Sequence, residues 1–412
     1  MLAAIAVVLR PTNLLIWIGI LTLTVTRFTL DGTPPLQVPT LFRLVREIVI
    51  CGLAVLAVSL ASDRLYFGFW VFPPYKWLYY NISQSLAVFY GKMPWHYYLS
   101  QGIPLLTTTF LPFSAIGLYK FGISLSHYGP SKSGLDTLQS NTLRTFSVTL
   151  LTMITSLSVI SHKEVRFIYP LLPILHILGA PFLLDFFTTP PPVTSTTMIT
   201  QPLTIRHKLF LANILSINVL LAGYLSLFHQ PAALSVLSFL RTDFERIHPV
   251  SLSLDTTRHA NNSATINELF ALFLAPCHST PWRSHLIYPA LRVRALTCEP
   301  PLHTDPGSAE RETYLDEADR FYVKSGDGKY GVGFLGQEMW PVREDGSRDG
   351  EVPRYIVGFE GIEGLLDEFF SGEGKDMGVI LSRAWEGWNG AFNEDWRRRG
   401  KLVVWDTGVW AK

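Results

Sequence analysis

Apolar runs recur through the first half of the chain, each close to the roughly 20 residues that a helix needs to cross a bilayer core. The clearest are residues 44–61, 103–121, 142–160, 167–187 and 209–229, and residues 1–28 form a less regular opening segment around Arg10-Pro11. The pattern predicts a polytopic α-helical membrane domain of about six spans over residues 1–230, with 1–28 either one kinked span or two shorter pieces. After residue 230 the period changes. Leu291–Cys298, Tyr355–Phe359 and Leu402–Asp406 are β-prone, Ile266–Leu274 and Ile362–Phe370 have helical spacing, and residues 303–313 and 341–353 read as polar loops. Residues 231–412 are therefore expected to form a mixed α/β domain with its own core.

The charge distribution sharpens this division. Residues 1–230 hold 14 Lys+Arg and 6 Asp+Glu, and the remaining 182 positions hold 20 and 27. The formal charge of +1 is the sum of +8 and −7, which leaves no basic surface large enough to track nucleic acid. High apolar content and aperiodic glycines exclude disorder and collagen-like repeats.

Basic residues outside the spans set the orientation. Arg43 and Arg46, then Lys120, Lys132 and Arg144, then Arg206 and Lys208 fall in loops of one parity, which are placed in the cytosol. The loop 62–102, the short turn 161–166 and everything after about residue 230 then face the lumen. Two N-glycosylation acceptors, Asn81-Ile82-Ser83 and Asn261-Asn262-Ser263, lie on that side. Cys51 falls inside a span, whereas Cys277 and Cys298 are compatible either with a disulfide in an oxidising compartment or with two buried thiols. Met1 opens directly into apolar residues without the basic region and cleavage site of a signal peptide.

Two stretches carry candidate chemistry. His162-Lys163-Glu164-Val165-Arg166-Phe167 packs four ionisable side chains between two spans, which is costly at a bilayer surface unless they pair or bind something. Glu164 can offset Lys163 or Arg166, and the cationic remainder suits a phosphate diester. Its positive charge on the noncytosolic side runs against the orientation rule, which favours function over a plain charged turn. The second stretch is the aromatic-rich loop 62–102. Aromatics of this density form an interfacial belt, yet Asp63, Arg64, Trp95, His96, Tyr97 and Gln101 could equally hold a sugar between stacking faces. Asp63 is expected to pair with Arg64.

Other patterns read as structural. Gly326-Asp327-Gly328-Lys329-Tyr330-Gly331 lacks the strand and helix that a dinucleotide loop needs. Arg397-Arg398-Arg399 reads as a solvated triplet. Cys277, His278 and Ser279 are adjacent in sequence, and adjacent residues seldom face each other as a triad requires. No metal site and no cofactor are read from the chain.

HKEVRF at 162–167, DRLYFGFW at 63–70 and YGKMPWHYYLSQGIP at 90–104 resemble the motifs of glycosyltransferase family 22, multispanning mannosyltransferases of the endoplasmic reticulum with the GT-C architecture. APCHSTPWRSHLIYP at 275–289, LTCEPPL at 296–302 and NEDWRRRGKLVVWD at 393–406 narrow the resemblance to the branch that builds glycosylphosphatidylinositol (GPI) anchors. The resemblance implies luminal α-1,2 transfer of mannose from dolichyl-phosphate mannose to the second mannose of the anchor precursor. The turn 161–166 would then steady the dolichyl phosphate leaving group. It also implies a catalytic carboxylate in the first luminal loop, which in this numbering is expected upstream of Met1, because the chain opens at a segment like the family's span containing Arg10-Pro11-Thr12. Three other readings remain at this stage: a noncatalytic homologue that binds lipid-linked sugar, a family member that extends N-glycan precursors, and a transporter. The PWHYY and CHSTPW runs argue against the second. The third would predict ionisable groups within spans or a hydropathy repeat, and neither is evident.

Overall fold

The computed structural model describes residues 1–123, 137–189, 204–248, 268–324, 330–393 and 395–409. Five helical segments are long and apolar enough to cross a membrane: Val38–Phe67, Tyr98–Gly122, Thr137–Val159, Val165–Phe187 and Lys208–Ile247. The opening segment is two shorter helices, α1 (Leu2–Leu9) and α2 (Asn13–Thr26), separated at Arg10-Pro11. Proline has no N–H to continue the first helix and restricts the residue before it, so Arg10 is extended. We name the next helices α3 (Val38–Phe67), α4 (Tyr98–Gly122), α5 (Thr137–Val159) and α6 (Val165–Phe187). The last segment comprises α7 (Lys208–Gly223), a further turn over Tyr224–Phe228, and α8 (Ala232–Ile247). The chain divides into two compact units, Met1–Val219 and Leu220–Lys412.

In the first unit α4, α5 and α6 share a core in which Tyr98, Leu150, Met153, Ile168, Leu171 and Leu178 are almost wholly buried. Lipid supplies no hydrophobic drive between helices, so their association depends on close backbone approach. Gly117 and Gly179 provide it. A Cβ on Gly117 would lie 2.3 Å from the Leu178 carbonyl oxygen, and one on Gly179 2.6 Å from the Phe110 ring. Gly117→Val is therefore expected to separate α4 from α6 and cost about 1–3 kcal/mol. Steady-state abundance of the variant in microsomes, measured against wild type, checks this.

The second unit is a five-stranded sheet between helical layers. Its strands are β1 (Leu269–Phe273), β2 (Leu291–Ala295), β3 (Tyr355–Phe359), β4 (Ser382–Trp388) and β5 (Lys401–Asp406). They run in the order β2-β1-β3-β5-β4, with β1 parallel to both β2 and β3 and the β3–β5 and β5–β4 pairs antiparallel. Alternation sorts the side chains to two cores. Ala271, Phe273, Tyr355, Val357, Leu402 and Val404 pack with Val236, Leu240 and Phe244 of α8. Leu272, Ile356, Val403 and Trp405 pack with Phe321, Trp340 and the helix α9 (Glu363–Ser371).

One element corrects the sequence reading. Residues 266–274, expected to be helical, contain the interior strand β1, because a strand buried on both faces shows continuous hydrophobicity instead of alternation. The expected loop 303–313 also ends in a short helix, Ala309–Thr313, whose N-terminus Ser308 caps by accepting from the Arg311 N–H. The edges of the sheet are charged. Arg292 and Arg294 of β2 pair with Glu351 and Glu317, and Arg383 and Glu386 of β4 pair with each other.

Glu363 opens α9 against that edge. Hydrogen bonds from Arg383 hold its carboxyl far below the ordinary 4.5, at about 2, against the opposing effect of burial and with help from the Trp405 indole. A depressed folded-state value means that the stabilisation is fully present above pH 4.5 and is lost as pH falls through about 2. Arg383→Ala should accordingly flatten part of the acid limb of the unfolding profile in this window, with stability followed by proteolysis at each pH. An unchanged limb would show that the pair contributes nothing.

Candidate functional site

The ionisable turn is built at the junction of α5 and α6. Helix α5 ends at Val159, Ser161 receives a backbone hydrogen bond from Met93 at 3.0 Å, and Glu164 is extended before the chain re-enters helix. The segment 91–94 of the long aromatic loop is therefore docked onto the turn. Gly91 makes this geometry accessible. Its φ of +123° is a glycine conformation, and its carbonyl oxygen lies 2.8 Å from His162 Nδ1.

The side chains then interlock. His162 Nε2 lies 2.9 Å from Glu164 Oε1, and Arg166 Nη2 donates to the same oxygen at 2.7 Å. The His162 ring is thus held between two oxygens, the Gly91 carbonyl and Glu164 Oε1. Burial pushes the Glu164 carboxyl up, but the hydrogen bonds from His162 and Arg166 outweigh it and hold the group below its ordinary range. Lys163 is buried, and its Nζ donates to the Met93 carbonyl at 3.2 Å. Burial, then the charge of Lys92, lowers its ammonium. Arg10 closes the assembly by donating to the Arg166 carbonyl.

Arg10, Lys163, Arg166 and the His162 ring thus gather around one carboxylate that is already engaged twice. Arg166 keeps most of its side chain in the open, with 66% exposed. The arrangement offers charge-assisted donors at a membrane-level rim, the environment in which a phosphate diester is held best. Glu164 is poorly suited to take a proton from an alcohol, because two hydrogen bonds stabilise its ionised form.

Tyr97, buried beside the turn, belongs to this cluster, and burial followed by the Glu164 charge raises its phenol. Trp95, His96 and Gln101 are exposed on the same stretch, with Trp95 edge-on to His96 at 5.6 Å and His96 Nδ1 3.0 Å from Ser100 Oγ. Asp63 and Arg64 end α3 elsewhere. The expected pair between them does not form; Arg64 instead lies 6.0 Å over the Trp70 ring. Sequence reasoning missed Arg10, Lys92 and Tyr98. The isolated Arg10-Pro11 inside an apolar run was the available signal for the first, and Tyr98, wholly buried, was hidden among neighbouring aromatics.

In the second unit Cys277 and Cys298 form a disulfide with Cα atoms 5.8 Å apart. Asp316 gathers with them as a group of potential metal donors among the described residues, but two mutually bonded sulfurs present no thiolate. Of the arginine triplet only Arg399 is exposed as expected. Asp395 caps a short turn over Trp396–Arg398, which directs Arg397 to Asp319 at 2.8 Å and Arg398 to the Cys277 carbonyl at 2.5 Å. Asn81 lies in a helical turn with its amide donating to the Trp77 carbonyl at 2.8 Å. Asn261-Asn262-Ser263, Lys132 and residues 326–329 of the glycine-rich run lie outside the described residues.

A multispanning helical unit with a cationic turn at its rim, followed by an α/β unit, defines the class. The sequence model of the Alg9-like mannosyltransferase family matches residues 1–287, and the chain belongs to that family. GPI mannosyltransferase 3 of Gibberella zeae is 53% identical over 412 residues, covering 99% of this chain and 64% of the relative. GPI mannosyltransferase 3 of Aspergillus fumigatus is 39% identical, covering 98% and 51%, and GPI alpha-1,2-mannosyltransferase 3 of Homo sapiens 29% identical, covering 89% and 52%. The chain spans about half to just under two thirds of the length of these curated relatives. No solved structure matches it.

Proposed function

We propose that the protein is an α-1,2-mannosyltransferase of the endoplasmic reticulum membrane, moving mannose from dolichyl-phosphate mannose to the second mannose of the GPI-anchor precursor and so adding the third. The observation that carries this reading is the interlocked turn His162–Arg166 docked on Gly91–Pro94, in a chain whose relatives bear that name. A lipid-linked donor and a lipid-linked acceptor both require a site at membrane level, where this turn lies between two spans. As the glycosidic bond to phosphate breaks, charge builds on the departing phosphate, and the donors of Arg166, Lys163 and His162 would stabilise it. The donor brings its own leaving group, so the reaction as proposed uses no further cofactor. The exposed Trp95 and His96 would line the acceptor side, and the turn, the loop 62–102 and the α/β unit would face the lumen.

The test is a strain lacking its GPI mannosyltransferase 3, supplied with the full-length gene. Restored synthesis of a three-mannose glycolipid whose terminal sugar is released by an α-1,2-mannosidase is expected. Accumulation of the two-mannose precursor, or extension of N-glycan precursors instead, would overturn the proposal. Replacing Trp95 and His96 together by alanine should lower anchor synthesis about tenfold with protein abundance unchanged.

A further inference from the structure

The α/β unit contains a cleft that the membrane-level turn does not use. Its volume is about 310 Å³, at the small end of the range for small-molecule sites. It lies beyond the carboxyl ends of β1 and β2, lined by the segments that follow Phe273 and Ala295. Open α/β sheets place ligands outside the carboxyl ends of their strands.

The cleft is rigidly made. The Cys277–Cys298 disulfide joins its two lining segments, and Arg398 ties the Cys277 carbonyl from a third. His278, next to the disulfide, holds a φ of +59°, an uncommon conformation for a residue with a side chain. Trp282 is packed on one side against the α8 core, which fixes its ring in the wall.

Three polar side chains at the rim, those of Arg283, Glu299 and Thr280, carry the argument for a ligand. Arg292, Arg294, Arg320, Arg383 and Arg397 of this unit are all ion-paired. Arg283 instead lies 5.1 Å over the Trp282 ring with no carboxylate partner among the described residues. Glu299 and Thr280 likewise line the cleft, and among the described residues their side chains have no hydrogen-bond partner. One cation, one anion and one hydroxyl around an aromatic ring give zero net charge with both donors and acceptors. That set suits a neutral polyol, whose vicinal hydroxyls accept from a guanidinium and donate to a carboxylate, better than it suits a phosphate, which Glu299 would repel.

We infer that this cleft, lined by residues of the α/β unit alone, binds a hexose of a glycan. The choice of mannose as that hexose rests on the proposed function; the hexose cleft itself does not. The test uses the full chain in detergent, with methyl α-mannopyranoside observed by saturation-transfer NMR. Saturable binding is expected, at least about tenfold weaker in Arg283→Lys and in Glu299→Gln, two changes that keep side-chain size and leave the disulfide to report folding on a nonreducing gel. Glu164→Ala should bind the mannoside as wild type does even where transfer is lost, so failure of the transfer reading and failure of this one are told apart. Titrating the glycan head group of the anchor precursor beside a high-mannose glycopeptide identifies the natural source. Equal binding by wild type and both rim variants, displacement of the sugar by inorganic phosphate, or loss of binding in Glu164→Ala would each overturn the inference.

Discussion

Glu164→Ala is expected to reduce mannose transfer by roughly 100-fold or more. The carboxylate is the common acceptor for His162 and Arg166, and its removal leaves the nearly buried His162 ring and the Arg166 guanidinium without their shared partner. Breaking a buried pair from one side costs about 3–5 kcal/mol. A loss of about 2.7 kcal/mol of transition-state stabilisation is already 100-fold. The affected groups are those that would meet the departing phosphate, so the loss should appear in turnover of dolichyl-phosphate mannose at saturating acceptor. Glu164→Gln keeps the size of the side chain and should recover little, because an amide cannot accept from two cations as a carboxylate does. Donor turnover within a few-fold of wild type, in protein of normal abundance, would reduce the turn to a helix stop.

Replacing Cys277 and Cys298 together by serine is expected to destabilise the α/β unit by roughly 3 kcal/mol, the chain-entropy value for a cross-link between residues 21 apart. The two segments it joins have few other ties across the cleft, so loosening should begin there. Pulse proteolysis of the full chain in increasing urea should show a lower midpoint for cleavage after residue 268. A midpoint equal to that of wild type would mean that Arg398, through the Cys277 carbonyl, holds the segment alone.

The sequence and the structure agree most closely where one physical effect dominates. Bilayer length is such an effect, and the apolar runs at 103–121 and 167–187 sit inside Tyr98–Gly122 and Val165–Phe187. The turn 162–167 was legible because charge between spans has few harmless explanations. What the turn docks against was not. Gly91 and Met93 contribute backbone carbonyls, which any residue possesses, and no side-chain pattern signals them. Strand β1 was hidden for a related reason: LFALF buried on both faces has no period to read. The alternating SRAWEGW of β4 passed unnoticed because its tryptophans and charges average to neutral hydropathy. Two of the three arginines at 397–399 depart from a solvated run because Asp395 and Asp319, the latter 78 positions away from Arg397, draw them inward.

The charged margins of the sheet bear on how the unit survives its own synthesis. A parallel core joined by long crossovers forms late, since β1 must wait for β3, more than 80 residues downstream, and for a cross-link to be oxidised. During that wait many nascent copies share a crowded compartment. Arginines on β2 and the Arg383–Glu386 pair on β4 leave neither margin flat and apolar enough to template a neighbouring chain. Slow assembly is thereby decoupled from fibrillar self-association, and the protein can tolerate a long folding half-time without paying for it in insoluble product.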